Sequence, residues 1–218
     1  MWGEGMNNLI GIIAITIYII LVFIVSKFLT NKGKEVSRKF VHIMLSNIWF
    51  FYLVFIDSLE WALILPALFV VINSLSYKFK IFKSIERENN DGFGTIYYAI
   101  SILLICIFAY KLGKPLLGLP GILVMGYGDG FAAIIGQKVK SKEYKVGNTT
   151  KSIAGSTTMF VLSLIICMIN FGLLNIDYFI YKAIGVAAIS TVLEAISIKG
   201  LDNISVPIVV TILTYLSL

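Results

Sequence analysis

Gly126-Tyr127-Gly128-Asp129-Gly130-Phe131-Ala132-Ala133-Ile134-Ile135-Gly136 sets an acid among glycines, inside an apolar run that spans residues 116–137. That run matches the roughly 20 residues a helix needs to cross a bilayer. An unpaired charge inside such a helix costs roughly 2.5–3.5 kcal/mol on insertion scales, so Asp129 calls for a function and for polar partners at the same depth. The fold is the set of apolar helices that brings those partners to it.

Composition agrees. Hydrophobic residues make up 58% and charged residues 14% of the 218-residue chain, and the mean hydropathy is +0.91. A soluble domain averages roughly 45–50% apolar and about 25% charged. The chain reads as an integral membrane protein, an all-α polytopic bundle of seven to eight transmembrane helices in a single transmembrane domain over residues 1–218. A β-barrel would show roughly 10-residue alternating segments in place of long apolar runs. The net charge of +6 fits the positive-inside bias of membrane proteins, not a nucleic-acid surface, so no nucleic-acid partner is expected. Cys106 and Cys167 fall in apolar runs without neighbouring Cys or His, which suggests neither a disulfide framework nor a zinc site.

Outward from the central run, apolar stretches cover residues 9–28, 40–56, 61–77, 95–110, 116–137, 153–171, 178–198 and, shorter, 204–218. The first lacks a basic leader and a small-residue cleavage site and reads as a retained helix. Residues 27–39 form a basic connection, residues 78–94 a polar one of mixed charge, and residues 138–151 a solvated basic loop. Eight crossings place alternate connections on opposite sides. Of the 18 Lys and Arg residues, all but Lys111, Lys114 and Lys182 then fall on one side, among them Lys80, Lys83 and Arg87. The positive-inside rule makes that side cytoplasmic. Both termini are expected outside, in a multi-pass protein of the cell membrane.

This topology gathers the unusual polar residues at the cytoplasmic helix ends. Arg38, His42 and Ser46 recur at four-residue spacing and form one helical stripe. Asp129 lies about two turns inside its helix, and Lys151 opens the next, with Gly155 and Thr158 continuing its face. Ser190, Thr191, Glu194 and Ser197 share a face, and Asp202 and Asn203 precede the last helix. Acids, one His and several cations at one membrane face suit a divalent cation holding a polyphosphate, since Mg²⁺ takes one or two carboxylates and completes its shell with phosphates and water. The glycines beside Asp129 would let backbone approach a nucleotide or loosen the helix; in membrane helices such residues also serve close packing.

Two look-alikes fail. Gly147-Asn148-Thr149-Thr150-Lys151-Ser152 ends like a P-loop but lacks its second glycine and a preceding strand. The Gly126, Gly128, Gly130 spacing places Phe131 where a dinucleotide fingerprint needs glycine. Asn148-Thr149-Thr150 and Asn203-Ile204-Ser205 match glycosylation sequons, yet both fall on the cytoplasmic side of this topology.

Arg38-Lys39-Phe40-Val41-His42, Gly94-Thr95-Ile96-Tyr97-Tyr98, the Gly128 to Gly136 segment, Lys151-Ser152-Ile153-Ala154-Gly155-Ser156, and Glu194 with Leu201-Asp202-Asn203-Ile204-Ser205-Val206-Pro207 together resemble the CTP-dependent lipid kinases, which include dolichol, phytol and yeast-type diacylglycerol kinases. The resemblance implies transfer of the γ-phosphoryl group of CTP, with Mg²⁺, to the hydroxyl of a membrane lipid alcohol (polyprenol, phytol or diacylglycerol) at the cytoplasmic face. It further implies Asp129 as leading metal ligand, with Glu194 and Asp202 beside it. Lys151, Ser152, Arg38, Lys39, Gly128, Gly130, Glu194 and Asn203 would surround the nucleotide, and His42, Asp129 and Lys151 would act in catalysis. Phosphatidate cytidylyltransferases share the Gly-Asp motif and a Lys-x-x-Gly segment, but their His-Gly-Gly and Asp-Arg-x-Asp signature is absent. A transporter would gather polar groups at the midplane and show repeated halves.

Overall fold

The computed structural model describes residues 2–79, 93–147 and 149–218. Lys80, Lys83, Arg87 and the sequon residue Asn148 lie outside the described residues. The chain is a helical bundle of α1 (Trp2–Leu29), α2 (Lys34–Ser46), α3 (Ile48–Phe55), α4 (Leu59–Phe79), α5 (Gly94–Lys111), α6 (Gly118–Leu123), α7 (Gly130–Lys138), α8 (Ile153–Leu173), α9 (Phe179–Ile196) and α10 (Asp202–Leu216). Among the described residues six helical stretches are long and apolar enough to cross a membrane: α1, α4, α5, the unit Pro115–Lys138, α8 and α9. The pair α2–α3 and the shorter α10 account for the other two predicted runs.

The helix carrying Asp129 is central. In Pro115–Lys138, 72% of the apolar window is buried by the rest of the bundle, against 22% in α1. The outward Ile and Leu residues of α1 stay half-exposed, as a lipid-facing surface requires. One core cluster forms around Trp49, Tyr52, Ile105, Leu117 and Ile122, where the Trp49 and Tyr52 rings stack at 5.5 Å. Trp49 Nε1 donates to the Pro115 carbonyl at 3.0 Å. The second cluster forms around Val124, Met125, Met159, Phe171 and Val206.

Glycines let the central helix approach its neighbours. A Cβ on Gly121 would stand 2.4 Å from the Pro207 carbonyl oxygen, one on Gly126 2.3 Å from Ser46 Cβ, and one on Gly130 2.3 Å from Ile43 Cγ1. Because the obstacle at Gly121 is backbone, Gly121→Ala must push α6 off α10. We expect it to lower stability by about 1–3 kcal/mol, read as a fall in Tm of the purified protein in detergent. Between α6 and α7 the residues Val124–Asp129 form a π-helical stretch, a widened turn found often at functional sites. Asp129 is its last residue.

Three local expectations are corrected. The second run is not one helix from residue 40: helix begins at Lys34, so Arg38 and Lys39 are helical, and it breaks at Asn47. Asn47 stands at the break, where its side chain accepts from the Tyr127 hydroxyl at 2.8 Å and donates to the Tyr18 hydroxyl at 3.4 Å. The basic segment 138–151 is not a plain solvated loop. It contains an antiparallel hairpin, β1 (Glu143–Val146) and β2 (Thr149–Ser152), with Tyr144 opposite Lys151. Gly147 supplies the positive φ of 58° at the turn. The hairpin docks on α8 where the Ile153 N–H donates to the Lys142 carbonyl at 3.0 Å and the Tyr144 hydroxyl meets Ser156 Oγ at 2.6 Å. Lys151 therefore stands in β2 and does not open a helix; Ser152 caps α8 by accepting from the Gly155 N–H at 3.2 Å. The segment before Lys151 does hold a strand, but it pairs antiparallel as a hairpin and is no P-loop.

Candidate active site

The first turns of α2, α5 and α10 and the last turns of α4, α7 and α9 meet β2 around one cavity of about 880 Å³. The partner that Asp129 requires is Lys39: its Nζ donates to Asp129 Oδ2 at 2.6 Å, with the two side chains 7% and 10% exposed. His42, one turn along α2, brings Nε2 within 3.2 Å of the Met125 carbonyl and 3.5 Å of Asp129 Oδ2. A carbonyl only accepts, so this contact assigns the proton to Nε2 and leaves Nδ1 as the basic nitrogen.

The hairpin delivers Lys151 to Glu194. Its Nζ donates to Glu194 Oε1 at 2.6 Å and to the Glu194 backbone carbonyl. One carboxylate oxygen each from Asp129, Glu194 and Asp202 lie within 4.8 Å of one another. The three acids come from the π-helical stretch, α9 and α10. Asp202 Oδ1 accepts from the Asn203 backbone N–H at 3.0 Å and its side-chain amide at 3.1 Å, and among the described residues Asp202 makes no ion pair. Three acids against two paired lysines leave one negative charge over, a donor set that fits a divalent cation of the Mg²⁺ type.

Arg38 lines the same cavity but pairs with Glu35 on its own helix, Nη2 to Oε1 at 2.5 Å. Ser152 and Asn203 also line it. Ser152 Oγ donates to the Gly136 carbonyl at 3.2 Å. Several expected neighbours do not join. Gly128 and Gly130 do not line the cavity: a Cβ there would meet Met159 Sδ at 2.6 Å and Ile43 Cγ1 at 2.3 Å, so their missing side chains let those neighbours pack against the central helix. Ser46, buried against Gly126, donates to the Ile43 carbonyl. Ser190, Thr191 and Thr158 bond to carbonyls of their own helices.

Two features go beyond the sequence reading, which quoted Tyr98 within the Gly94–Tyr98 motif but gave it no role. Tyr98 on α5 lines the cavity, with its ring 4.6 Å from that of His42. Its hydroxyl is buried without a hydrogen-bond partner among the described residues. An unmet buried hydroxyl costs about 1–3 kcal/mol. Tyr98→Phe is therefore expected to leave the protein as stable as before, or more stable by about 1 kcal/mol, in thermal unfolding. The second feature is the cavity's shape. Beyond the charged cluster it continues into an arm walled by Ile19, Phe23, Leu45, Leu65, Leu68, Phe69 and Ile102.

A buried acid–base cluster opening into an apolar arm thus lies within a bundle with helices long and apolar enough to cross a membrane. The comparisons carry this further. A phytol kinase of Synechocystis sp. is 33% identical over 183 residues, covering 80% of this chain and 76% of that protein. Phytol kinase 1, chloroplastic, of Arabidopsis thaliana is 30% identical over 207 residues, covering 84% and 67%. A probable chloroplastic phytol kinase of Zea mays is 31% identical over 207 residues, with 84% and 67% covered. The chain belongs to the family of membrane lipid kinases that includes the phytol kinases. No family model matches the chain, and no solved structure gives a significant match.

Proposed function

We propose that the protein transfers the γ-phosphoryl group of CTP to the hydroxyl of a membrane isoprenoid alcohol, phytol or a close relative, with Mg²⁺, at the cytoplasmic face of the cell membrane. The observation that carries this reading is the single cavity joining Asp129, Glu194, Asp202, Lys39 and Lys151 to an apolar arm. A lipid alcohol has that division of character. The side bearing Lys34, Arg38, Lys39, Lys138 and Lys151 is the cation-rich one, which the positive-inside rule assigns to the cytoplasm.

Asp129, Glu194 and Asp202 would hold Mg²⁺, which supplies charge neutralisation of the phosphates when bound. Lys39 and Lys151 balance these carboxylates and turn to phosphate oxygens once nucleotide enters, with Arg38, Ser152 and Asn203 at the same wall. The lipid oxygen attacks the γ-phosphorus and the bond to the β–γ bridging oxygen breaks, leaving CDP. His42 orients the lipid hydroxyl and takes its proton, with its ring fixed through Nε2. Such a reaction needs mostly positioning and charge stabilisation, which a rigid buried cluster provides.

The test is a panel of the purified protein in detergent with Mg²⁺, crossing CTP, ATP, GTP and UTP with phytol, polyprenols and diacylglycerol, and chromatography of the lipid products. Phytyl monophosphate formed chiefly from CTP is the expected result. Preference for ATP would overturn the donor, and phosphorylation of diacylglycerol alone the acceptor.

A further inference from the structure

One face of α4 turns toward the cavity along its length. Leu65, Leu68, Phe69 and Ile72 come first, and Asn73 and Ser76 follow at the same three- and four-residue steps. The face thus grades from apolar to polar along a single helix. Its polar end lies beside the start of α5, where the Tyr77 and Phe93 rings stand 4.7 Å apart. Across the groove α1 contributes Thr16, Ile19 and Phe23.

The arm is not closed. Leu68 and Ile72 line the cavity yet are 50% and 37% exposed, so they border both the interior and the bilayer. Helices α1 and α4 make few direct contacts with each other, whereas α4 packs extensively on α5 and α1 on α2 and α3. The outcome is a slot that opens sideways between α1 and α4, apolar at depth and polar where it reaches the Asp129 cluster.

Resting on the function proposed above, we propose that this slot admits the acceptor from the bilayer and holds its tail, and that Leu68 at the lip sets which tail lengths are used. The occupant is one prenyl-type chain carrying a terminal hydroxyl. A slot that opens between α1 and α4 and is backed by Leu45 of α2 and Ile102 of α5 suits one chain lying along α4. The gradient along α4 places the hydroxyl at the polar end and the hydrocarbon against Leu65, Leu68 and Phe69. Chain length is then read by how much of the slot the tail fills.

The experiment compares the wild type, Leu68→Trp and Val71→Trp with geraniol, farnesol and phytol, acceptors of increasing tail length, using whichever nucleotide supports turnover. Val71 is 54% exposed on the same helix but does not line the cavity, so it controls for an added indole at the lipid surface. Leu68→Trp should lower kcat/KM for phytol about tenfold or more while geraniol stays within about twofold, the selectivity expected when a pocket loses room for part of its ligand. Val71→Trp should keep the wild-type length profile. An active wild type with Leu68→Trp unchanged, or weakened equally for all three alcohols, overturns the channel and leaves the kinase reading standing. A wild type inert toward all three overturns the acceptor reading and the channel with it.

Discussion

Asp129→Asn should abolish turnover, with kcat falling on the order of 10³-fold or more, the scale on which a group that organises transition-state charge acts. The same change has a structural cost. It leaves the Lys39 ammonium buried beside an amide, and breaking a buried ion pair from one side typically costs about 3–5 kcal/mol. The single variant should therefore be both inactive and less stable. Lys39→Met combined with Asp129→Asn removes both charges, so it should recover most of the lost stability and none of the activity. Thermal unfolding and phosphoryl-transfer rates on the two variants separate the chemical role of the acid from its packing role. Full activity in Asp129→Asn would remove the acid from the reaction altogether.

Lys151→Met is expected to give the second largest effect. Its Nζ is held by the side chain and backbone of Glu194, and Asp129 and Asp202 lie beside that carboxylate. Losing the cation leaves three acids facing Lys39 alone. Nucleotide affinity should fall as its KM rises, and kcat should drop on the order of 10²-fold, the effect of removing one charge-stabilising donor. Steady-state kinetics with varied nucleotide checks this. An unchanged nucleotide KM would place the phosphates away from the hairpin.

The sequence reading reached the helical membrane class and the set of acids for a physical reason. Charges inside apolar runs are costly, so Asp129 and Glu194 stand out one by one, and alternating crossings place them at one membrane face without any knowledge of helix neighbours. That logic stops where neighbours matter. Lys39 is one position away from the Arg38–His42 stripe, so only the family resemblance put it beside the nucleotide; its ion pair with Asp129 was not legible, because nothing local says that α2 turns it onto the central helix. Gly128 and Gly130 flank Asp129 in sequence, but their missing side chains make room for Met159 and Ile43. The hairpin hid in a basic stretch whose signals, Gly147 and the threonines Thr149 and Thr150, are weak beside its lysines. Asn47 gave a legible clue to the helix break, a polar amide inside an apolar run, and passed unused. The apolar arm was out of reach, since it is made by residues of α1, α2, α4 and α5 together and not by any segment alone.

A kinase and a cytidylyltransferase differ in which phosphorus of CTP reaches the lipid. Purified protein is given Mg²⁺, phytol and phosphatidate, with CTP labelled at the γ or at the α phosphate in parallel. Label entering phytol from the γ position, and none entering lipid from the α position, is the predicted result. Label entering phosphatidate-derived lipid from the α position would contradict it: the same acids and lysines would then serve cytidylyl transfer, and the apolar arm would hold a different lipid.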